Sequence, residues 1–383
     1  MLFTLYGYQF NIFEIPLLIY LISYFIIKLL FVHDKVIADK VIAEDKKYLN
    51  LFFMSYVLLF ISKIITFWPA IDKILVISDL LKWAEIFVFI ILVFNFKYFK
   101  YLYLILFLIS FSPVLISIYS SILNFNFFSG YRALPGYPSI FSLSLLIPFS
   151  KKNNFIYVIC ILLIITNILS ITRGAWLALI VVLSYYILIN LRDSKKYILK
   201  MVGIILIVIL VLVNIPAVQS NIHRKTLNLF LLNSGSNFER SGMAFLCLSI
   251  FSKNPIIGIG SGNFGKYAIK NPYLYKGKIL KIPENMAPHV FFLQILAENG
   301  IIGLISIVMI FLIFYKILFN KKIYLRCNDY KSYILGLRML FLSLTIHLIF
   351  GYVAGSGRLL LGLFMGLSLS ILKKENIIYN IEK

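Results

Sequence analysis

Long apolar runs dominate this sequence and constrain its fold more than any other feature. A run of about 18 or more apolar residues can cross a bilayer as a helix, and such runs recur along the chain. Hydrophobic residues make up 61% of the 383 residues and charged residues only 14%, whereas a soluble domain is roughly 45–50% apolar. A soluble fold would expose this excess to water, so the sequence predicts an integral membrane protein.

Eleven candidate spans can be distinguished, which predicts an all-α polytopic bundle of about 11–12 transmembrane helices forming a single membrane domain over residues 1–383. The third span is interrupted by the charged residues Asp79, Lys82 and Glu85. The ninth is too long for one plain span, so we expect an interfacial helix that enters the membrane near Gly300. The spans are residues 12–32, 49–67, 74–96, 101–123, 137–150, 154–171, 174–190, 198–216, 290–319, 333–350 and 357–372.

Short loops rich in Lys and Arg predict the orientation, because cytoplasmic loops of membrane proteins carry an excess of these residues. Alternating the spans places every basic loop on one side, which is predicted to be cytoplasmic, and the N-terminus on the other. These loops account for much of the net charge of +22, and no nucleic-acid-binding motif is apparent. The basic loops are residues 35–47, 97–100, 151–152, 192–200, 316–331 and 373–374.

Segment 217–288 is the only sizeable piece predicted to lie outside the bilayer. It contains one predicted helix, about residues 237–252, whose start fits a capping box of Ser236 and Glu239. Its apolar residues indicate that it lies on the membrane surface.

The stretch NPIIGIGSGNFG that follows this helix is crowded with glycines. Residues 260–265 match G-x-G-x-x-G, but no βαβ unit surrounds them, so a dinucleotide site is not indicated. We predict a tight loop with positive-φ turns, with a backbone nest for phosphate as the secondary interpretation.

Two arginines stand at predicted external helix starts. Arg173 separates two apolar runs, and Arg240 lies in the predicted first turn of the loop helix. A helix N-terminus disfavours cations, so both positions hint at an anionic ligand. The alternatives are an interfacial role for Arg173 and, for Arg240, pairing with Glu239 or a lipid phosphate.

His289 follows Pro288 at a predicted helix start on the outer boundary of the membrane, where a neutral imidazole can accept a proton. A structural role is the alternative. Arg132 and Arg358 add two external cations, and together these groups suggest a phosphate-bearing ligand lying in the membrane. No metal-ligating cluster or Ser-His-Asp pattern is apparent, and sparse carboxylates argue against a two-carboxylate glycosidase. The other histidines, in a cytoplasmic loop, after the eighth span and inside a helix, are His33, His223 and His347.

At these residues the chain resembles the O-antigen ligase/polymerase family of bacterial envelope enzymes, over about residues 130–300. Val290 and Ser139 depart from the family, which often has Asn at both positions. The matching pieces are Thr172-Arg173-Gly174-Ala175-Trp176, Glu239-Arg240, Asn254-Pro255 with Gly258, Gly260, Gly262 and Phe264, Pro288-His289 with Phe292-Leu293-Gln294, and Ala297-Glu298 with Gly300 and Gly303; Arg132, Gly136 and Pro138 resemble an earlier motif.

The resemblance implies a metal-independent glycosyl transfer, without a cofactor, on the outer face of the cytoplasmic (inner) membrane. The donor would be an undecaprenyl-pyrophosphate-linked glycan and the acceptor a lipid A-core or another glycan. Arg173 and Arg240 would hold the diphosphate, and His289 would be the general base or a further diphosphate ligand. The further substrate contacts implied are Arg132, Arg358 and Glu298.

Ligation and polymerisation stay open, because both use the same donor and differ in the acceptor. A third version transfers glycan to protein hydroxyls. The main rival is a transporter or lipid-linked-sugar flippase, which would place ionisable residues near the bilayer midplane on broken helices. A structural or assembly partner without catalysis is the other alternative.

Overall fold

The computed structural model describes residues 2–5, 8–11, 45–96, 98–123, 136–151, 153–170, 172–190, 203, 235–280, 282–283, 288, 290–351 and 357–373. Nearly all of them are helical, which confirms the predicted all-α polytopic membrane fold. Within these ranges, four helices are long and apolar enough to span a bilayer, and four shorter apolar helices accompany them. The predicted spans 12–32 and 198–216 lie outside the described residues, apart from Gly203.

The helices are numbered along the chain, and each predicted span within the described ranges coincides with one of them. The described ranges also contain two short antiparallel hairpins, β1 (Leu2–Leu5) with β2 (Tyr8–Asn11) and β3 (Leu274–Tyr275) with β4 (Lys278–Ile279). The helices are α1 (Lys46–Ile65), α2 (Lys73–Asn95), α3 (Phe99–Leu123), α4 (Gly136–Leu146), α5 (Asn154–Leu169), α6 (Arg173–Asn190), α7 (Gly235–Lys253), α8 (Phe264–Lys270), α9 (Phe291–Phe319), α10 (Lys321–Arg326), α11 (Lys331–Phe350) and α12 (Gly357–Ser370). Two 3₁₀ helices, Ile147–Phe149 and Asn328–Tyr330, follow α4 and precede α11, respectively.

The predicted loop helix is α7, which begins two residues earlier than expected, at Gly235. Ser236 therefore lies inside the first turn and not at the N-cap. The short helix α8 and the hairpin β3–β4, which follow α7 in the same segment, were not expected from the sequence.

Packing directions agree with a chain that alternates across the membrane. Helices α2 and α12 run parallel, since Gly362 lies against Phe89 and Gly366 against Val93. Helices α1 and α9 run antiparallel: the rings of Phe52 and Phe314 are 5.6 Å apart, near the start of α1 and the end of α9. Both relations follow from the span order.

The short helix α4 fits the same alternation against α11. Its start meets the end of α11, where the rings of Tyr137 and His347 are 4.1 Å apart. Its end meets the start of α11, where Gly336 packs against Leu145. The two helices are therefore antiparallel, as the predicted spans require.

The basic loops that the structure describes lie together at one end of the bundle, which we call the basic end. Lys151 donates a hydrogen bond of 2.6 Å to Asn190 at the end of α6. Lys100 lies over the ring of Tyr330, and Lys373 lies 4.6 Å above the ring of Phe94. The opposite end, which we call the site end, holds the turn between α1 and α2, the starts of α4, α6 and α9, and the end of α11.

Two ion pairs accommodate the two carboxylates that interrupt the third span. Lys63, which is fully buried, lies 2.5 Å from Asp79 of α2 and so joins α1 to α2. Arg358 lies 3.0 Å from Glu85 and joins α12 to α2. Pairing lowers the cost of placing charge at membrane depth, so α2 can run as one 23-residue helix.

Candidate active site

Helix α9 is interrupted at Gly300, whose φ of 64° and ψ of −163° are not helical. This backbone conformation is essentially restricted to glycine. A Cβ at this position would also overlap the backbone carbonyl of Ile256. The break separates a short N-terminal segment, Phe291–Asn299, from the long spanning part of the helix.

The glycine-rich stretch forms hydrogen bonds with the backbone groups that lose their helical partners at this break. The N–H groups of Ile259 and Gly260 donate to the carbonyls of Ala297 and Glu298, at 3.1 and 3.0 Å. In return, the N–H of Ile301 donates to the carbonyl of Pro255 at 2.9 Å. Because these N–H groups are already paired, they do not form a phosphate nest.

The predicted positive-φ turns are confirmed at three glycines of this stretch. Gly258, Gly260 and Gly262 have φ values of 70°, 105° and 73°. Gly258 packs against the backbone of Glu298, where a side chain would overlap carbonyl oxygens. The glycines thus allow two backbone segments to approach closely.

A polar network reinforces this contact. Glu298, which is 3% exposed, accepts hydrogen bonds from the N–H of Phe264 at 3.1 Å and from the side chain of Gln294 at 3.2 Å. Asn299 donates to the Ser261 hydroxyl at 2.5 Å, and the same hydroxyl lies 3.4 Å from the Lys63 ammonium group.

The network continues to the turn before α2. The side-chain oxygen of Asn263 accepts a 2.7 Å hydrogen bond from the N–H of Asp72. The Asp72 carboxylate pairs with Lys266 at 2.5 Å and caps α2 through the N–H of Ile74. Buried polar groups need such partners, and here the partners come from four separate segments.

Helix α7 packs its apolar face onto the same region. Its buried residues form a small core with Ile259, Phe264 and Ala297. Burial, together with the nearby Glu298 carboxylate, raises the pKa of the Cys247 thiol, so this cysteine stays a neutral packing residue. The α7 residues of this core are Met243, Leu246, Cys247 and Ile250.

At the site end, Tyr137 of α4 lies against the start of α6 and interacts electrostatically with α7. Its hydroxyl lies against Gly174, where an added Cβ would overlap it. The same residue interacts electrostatically with Arg240. Gly174 follows Arg173 directly in the chain, so two arginines predicted as ligands of one anion belong to neighbouring parts of the structure.

The start of α9 approaches the same place through the end of α11. A Cβ on Gly174 would lie 3.3 Å from the Cβ of Phe350. The next residue, Gly351, accepts a 3.1 Å hydrogen bond from the N–H of Phe291. Phe291 is two residues after His289. The adjacent residues Phe350 and Gly351 therefore link the start of α6 to the start of α9.

The predicted site residues fall into three groups. Arg173 is the first residue of α6, and Arg240 is an exposed residue in the second turn of α7, not in the first turn as expected. Glu298 and Arg358 bind protein groups, as described above. The predicted site residues outside the described ranges are Arg132 and His289.

Several residues at the site end were missed by the sequence reasoning. Tyr137 stands between two residues of a quoted motif, Gly136 and Pro138, and that position was the available signal. His347 carries no signal beyond its position inside a predicted helix, yet its ring packs edge-on against Tyr137. Lys63 carried a different signal, a lone charge in an apolar run.

The comparison with protein families supports the class of protein. A family model described as O-antigen ligase matches residues 158–308, so the predicted resemblance to the O-antigen ligase/polymerase family is confirmed over that region, which is less than half of the chain. The match supports glycan transfer of the ligase or polymerase type in general. A search of curated proteins finds no match to the chain. Within the described ranges, no group of three or more His, Cys, Asp or Glu residues is placed to hold a metal ion.

Proposed function

We propose that this protein transfers a glycan from an undecaprenyl-diphosphate carrier to an acceptor hydroxyl on the outer face of the cytoplasmic membrane. The observation that carries the proposal is the position of the Tyr137 hydroxyl against Gly174, next to Arg173, together with the electrostatic interaction between Tyr137 and Arg240. It draws the two arginines of the family motifs toward one site at the end of the bundle opposite the basic loops. Because basic loops are typically cytoplasmic, that end is assigned to the outer face.

In the proposed reaction, Arg173 and Arg240 hold the diphosphate through planar, bidentate hydrogen bonds. The acceptor oxygen attacks the anomeric carbon and its proton passes to His289. The bond between the anomeric carbon and the phosphate oxygen breaks, and the diphosphate leaves with its electrons. The arginines stabilise the negative charge that develops on it. The activated donor supplies the driving force, so no nucleotide is required.

Arg358 and Glu298 are assigned architectural roles. Arg358 pairs with Glu85, and Glu298 accepts hydrogen bonds from Phe264 and Gln294. A carboxylate that already receives donors from two segments is well suited to holding the glycine-rich stretch. Arg132 stays a proposed substrate contact on the strength of the motif alone.

The broken helix α9 also bears on the rival transporter function. Transporters use the unwound carbonyls of broken helices to coordinate ions. Here the carbonyls of Ala297 and Glu298 accept hydrogen bonds from the glycine-rich stretch. The break therefore serves to dock a loop, which favours a fixed enzyme site over an ion pathway.

The test is a gel profile of surface glycans from a strain that lacks this protein, complemented with wild type, Arg240→Ala or His289→Ala. Lys253→Ala is the matched control, because Lys253 is an exposed cation in the last turn of α7. We expect wild type and the control to restore the profile and the two site variants to fail at normal protein levels. Full complementation by both site variants would refute the proposed function.

The glycan pattern of the deletion strain separates the possible acceptors. A single repeat on the lipid core indicates a polymerase. Bare core with polymer accumulating on the carrier indicates a ligase, and loss of glycan from proteins alone indicates transfer to protein hydroxyls. Loss of lipid-linked glycan from the outer leaflet would instead support the flippase.

A further inference from the structure

Tyr137 interacts with three helices of the site end, and it is not one of the residues that carry the family resemblance. The residue is half-buried. Its ring stacks edge-on against His347, with the centroids 4.1 Å apart, and packs against Phe141 at 6.2 Å. These contacts hold the ring from one side, so the hydroxyl has a fixed direction.

The hydroxyl points to the start of α6. A Cβ on Gly174 would overlap it, which gives a reason for glycine after Arg173 in the R-G-x-W motif. Gly136 is constrained at the same turn, where a Cβ would lie 2.6 Å from the hydroxyl of Ser170. Two motif glycines thus allow α4 and its tyrosine to approach the start of α6.

Arg240 of α7 interacts electrostatically with Tyr137 and adds positive charge to its surroundings. A phenol can donate one hydrogen bond, and a bond to an ionised phosphate oxygen is about twice as strong as one between neutral groups. An anion held at the start of α6 would lie within reach of the phenol proton, because the hydroxyl lies against Gly174. A donor already fixed by packing stabilises charge without reorganising during the reaction.

We propose that the Tyr137 hydroxyl, at the start of α6, donates a hydrogen bond to a phosphate oxygen of the diphosphate leaving group that Arg240 is proposed to hold. This inference rests on the proposed function and adds a substrate-contacting residue to it. Tyr137 keeps its proton throughout: the bond between the anomeric carbon and phosphate breaks, the electrons go to the diphosphate, and the acceptor proton goes to the general base.

The first experiment compares Tyr137→Phe with wild type, purified in lipid nanodiscs, using a polyprenyl-diphosphate-linked oligosaccharide as donor. The variant keeps the ring and its packing on His347 and loses only the hydroxyl. We expect kcat/KM to fall about 10- to 100-fold, which is the size expected for one hydrogen bond to a charged group. The melting temperature should stay close to that of wild type.

Tyr103→Phe is the matched control, because it deletes a hydroxyl at the basic end. There the Tyr103 hydroxyl donates a 2.7 Å hydrogen bond to the carbonyl of Leu145. It is expected to lower the melting temperature and leave kcat/KM per folded protein unchanged. Equal kcat/KM for Tyr137→Phe and wild type would overturn the inference.

A binding measurement keeps the inference testable if turnover is slow. Farnesyl diphosphate, a soluble polyprenyl diphosphate, should raise the melting temperature of wild type and raise that of Tyr137→Phe by a clearly smaller amount. Equal shifts would contradict the inference. The variant Arg240→Ala distinguishes failure of the Tyr137 role from failure of the proposed function. If Arg240→Ala is inactive while Tyr137→Phe is fully active, only the role of Tyr137 is refuted. If both variants are fully active, the proposed function is refuted as well.

Discussion

Glu298 accepts a hydrogen bond of 3.1 Å from the backbone N–H of Phe264, which ties the start of α8 to the N-terminal segment of α9. Its other oxygen accepts from Gln294, one turn earlier in α9. The backbone of Glu298 contributes as well, because its carbonyl accepts from Gly260. A single residue therefore fixes both the glycine-rich stretch and the helix segment that begins two residues after His289.

Replacing Glu298 by alanine is expected to destabilise the protein. The change leaves the buried N–H of Phe264 without its acceptor, and an unsatisfied buried donor costs about 1–3 kcal/mol. Glu298→Gln keeps one acceptor oxygen and should cost less. Glu239→Ala, at an exposed residue of α7, is the control and should change stability by about 0.5 kcal/mol or less. Thermal melting in detergent measures all three, and equal melting temperatures for Glu298→Ala and wild type would contradict the role assigned to the carboxylate.

Gly300 and Gly277 provide a matched pair for testing the break in α9. Both have positive φ, 64° and 75°, but a Cβ at Gly277 meets nothing within 4 Å whereas one at Gly300 overlaps the backbone of Ile256. Gly277→Ala should therefore cost only the backbone strain, about 1 kcal/mol. Gly300→Ala should cost substantially more and abolish folding or activity. The measurement is the yield and melting temperature of both variants; similar values for the two would show that the close approach is not important.

The ion pair of the fully buried Lys63 with the partly buried Asp79 predicts a non-additive response to mutation. Removing one member of a buried ion pair leaves an uncompensated charge, at a cost of about 3–5 kcal/mol, and replacing both members by apolar residues is often neutral. Because the Asp79 side chain is 23% exposed, the lower end of that range applies. We expect Lys63→Met to be less stable than the double variant Lys63→Met/Asp79→Leu. Melting temperatures that fall further in the double variant would contradict this pairing.

Much of the helical architecture could be predicted from the sequence because bilayer length and hydropathy act locally. Spans such as α1 and α11 are read from apolar runs, and their alternation follows from the basic loops. The charges in the third span interrupt its apolar run. How the fold accommodates them could not be predicted, because their partners are distant in sequence. Asp79 pairs with Lys63 and Glu85 with Arg358, and no local pattern in the sequence specifies which charges will meet.

The candidate site was predicted in part, for a related reason. Motif spacing identified Arg173, Arg240 and Glu298, but a motif does not distinguish a residue that binds substrate from one that binds the protein. Glu298 lies against the glycine-rich stretch and accepts a hydrogen bond from the start of α8, and these parts meet the N-terminal segment of α9 only in the folded chain. Tyr137 and His347 come from different helices, so their contact at 4.1 Å has no signature in either local sequence.

Asp72 gives the protein an acid-sensitive contact at the site end. Partial burial acts to raise the pKa of its carboxyl, but the hydrogen bond and charge of Lys266 and the N–H of Ile74 outweigh it, so the pKa is lower than in the unfolded chain. The stabilisation is therefore fully present above the unfolded pKa of about 3.9, and it is lost as the pH falls through the lower folded value. The pair is partly exposed, so the effect should be modest.

We expect the melting temperature of wild type to exceed that of Asp72→Asn by a constant amount above about pH 5, and the difference to shrink as the pH falls through and below about 3.9. Lys266→Met is the matched variant: it removes the partner that lowers the pKa, so the same comparison made in that background should show a smaller difference. The measurement is thermal melting between pH 3 and 7 at low salt, since added salt screens such a pair. A difference that grows toward acid pH would reverse the sign of the linkage and show that the Asp72 carboxylate opposes folding, so that the contact with Lys266 could not be what holds α8 against the start of α2.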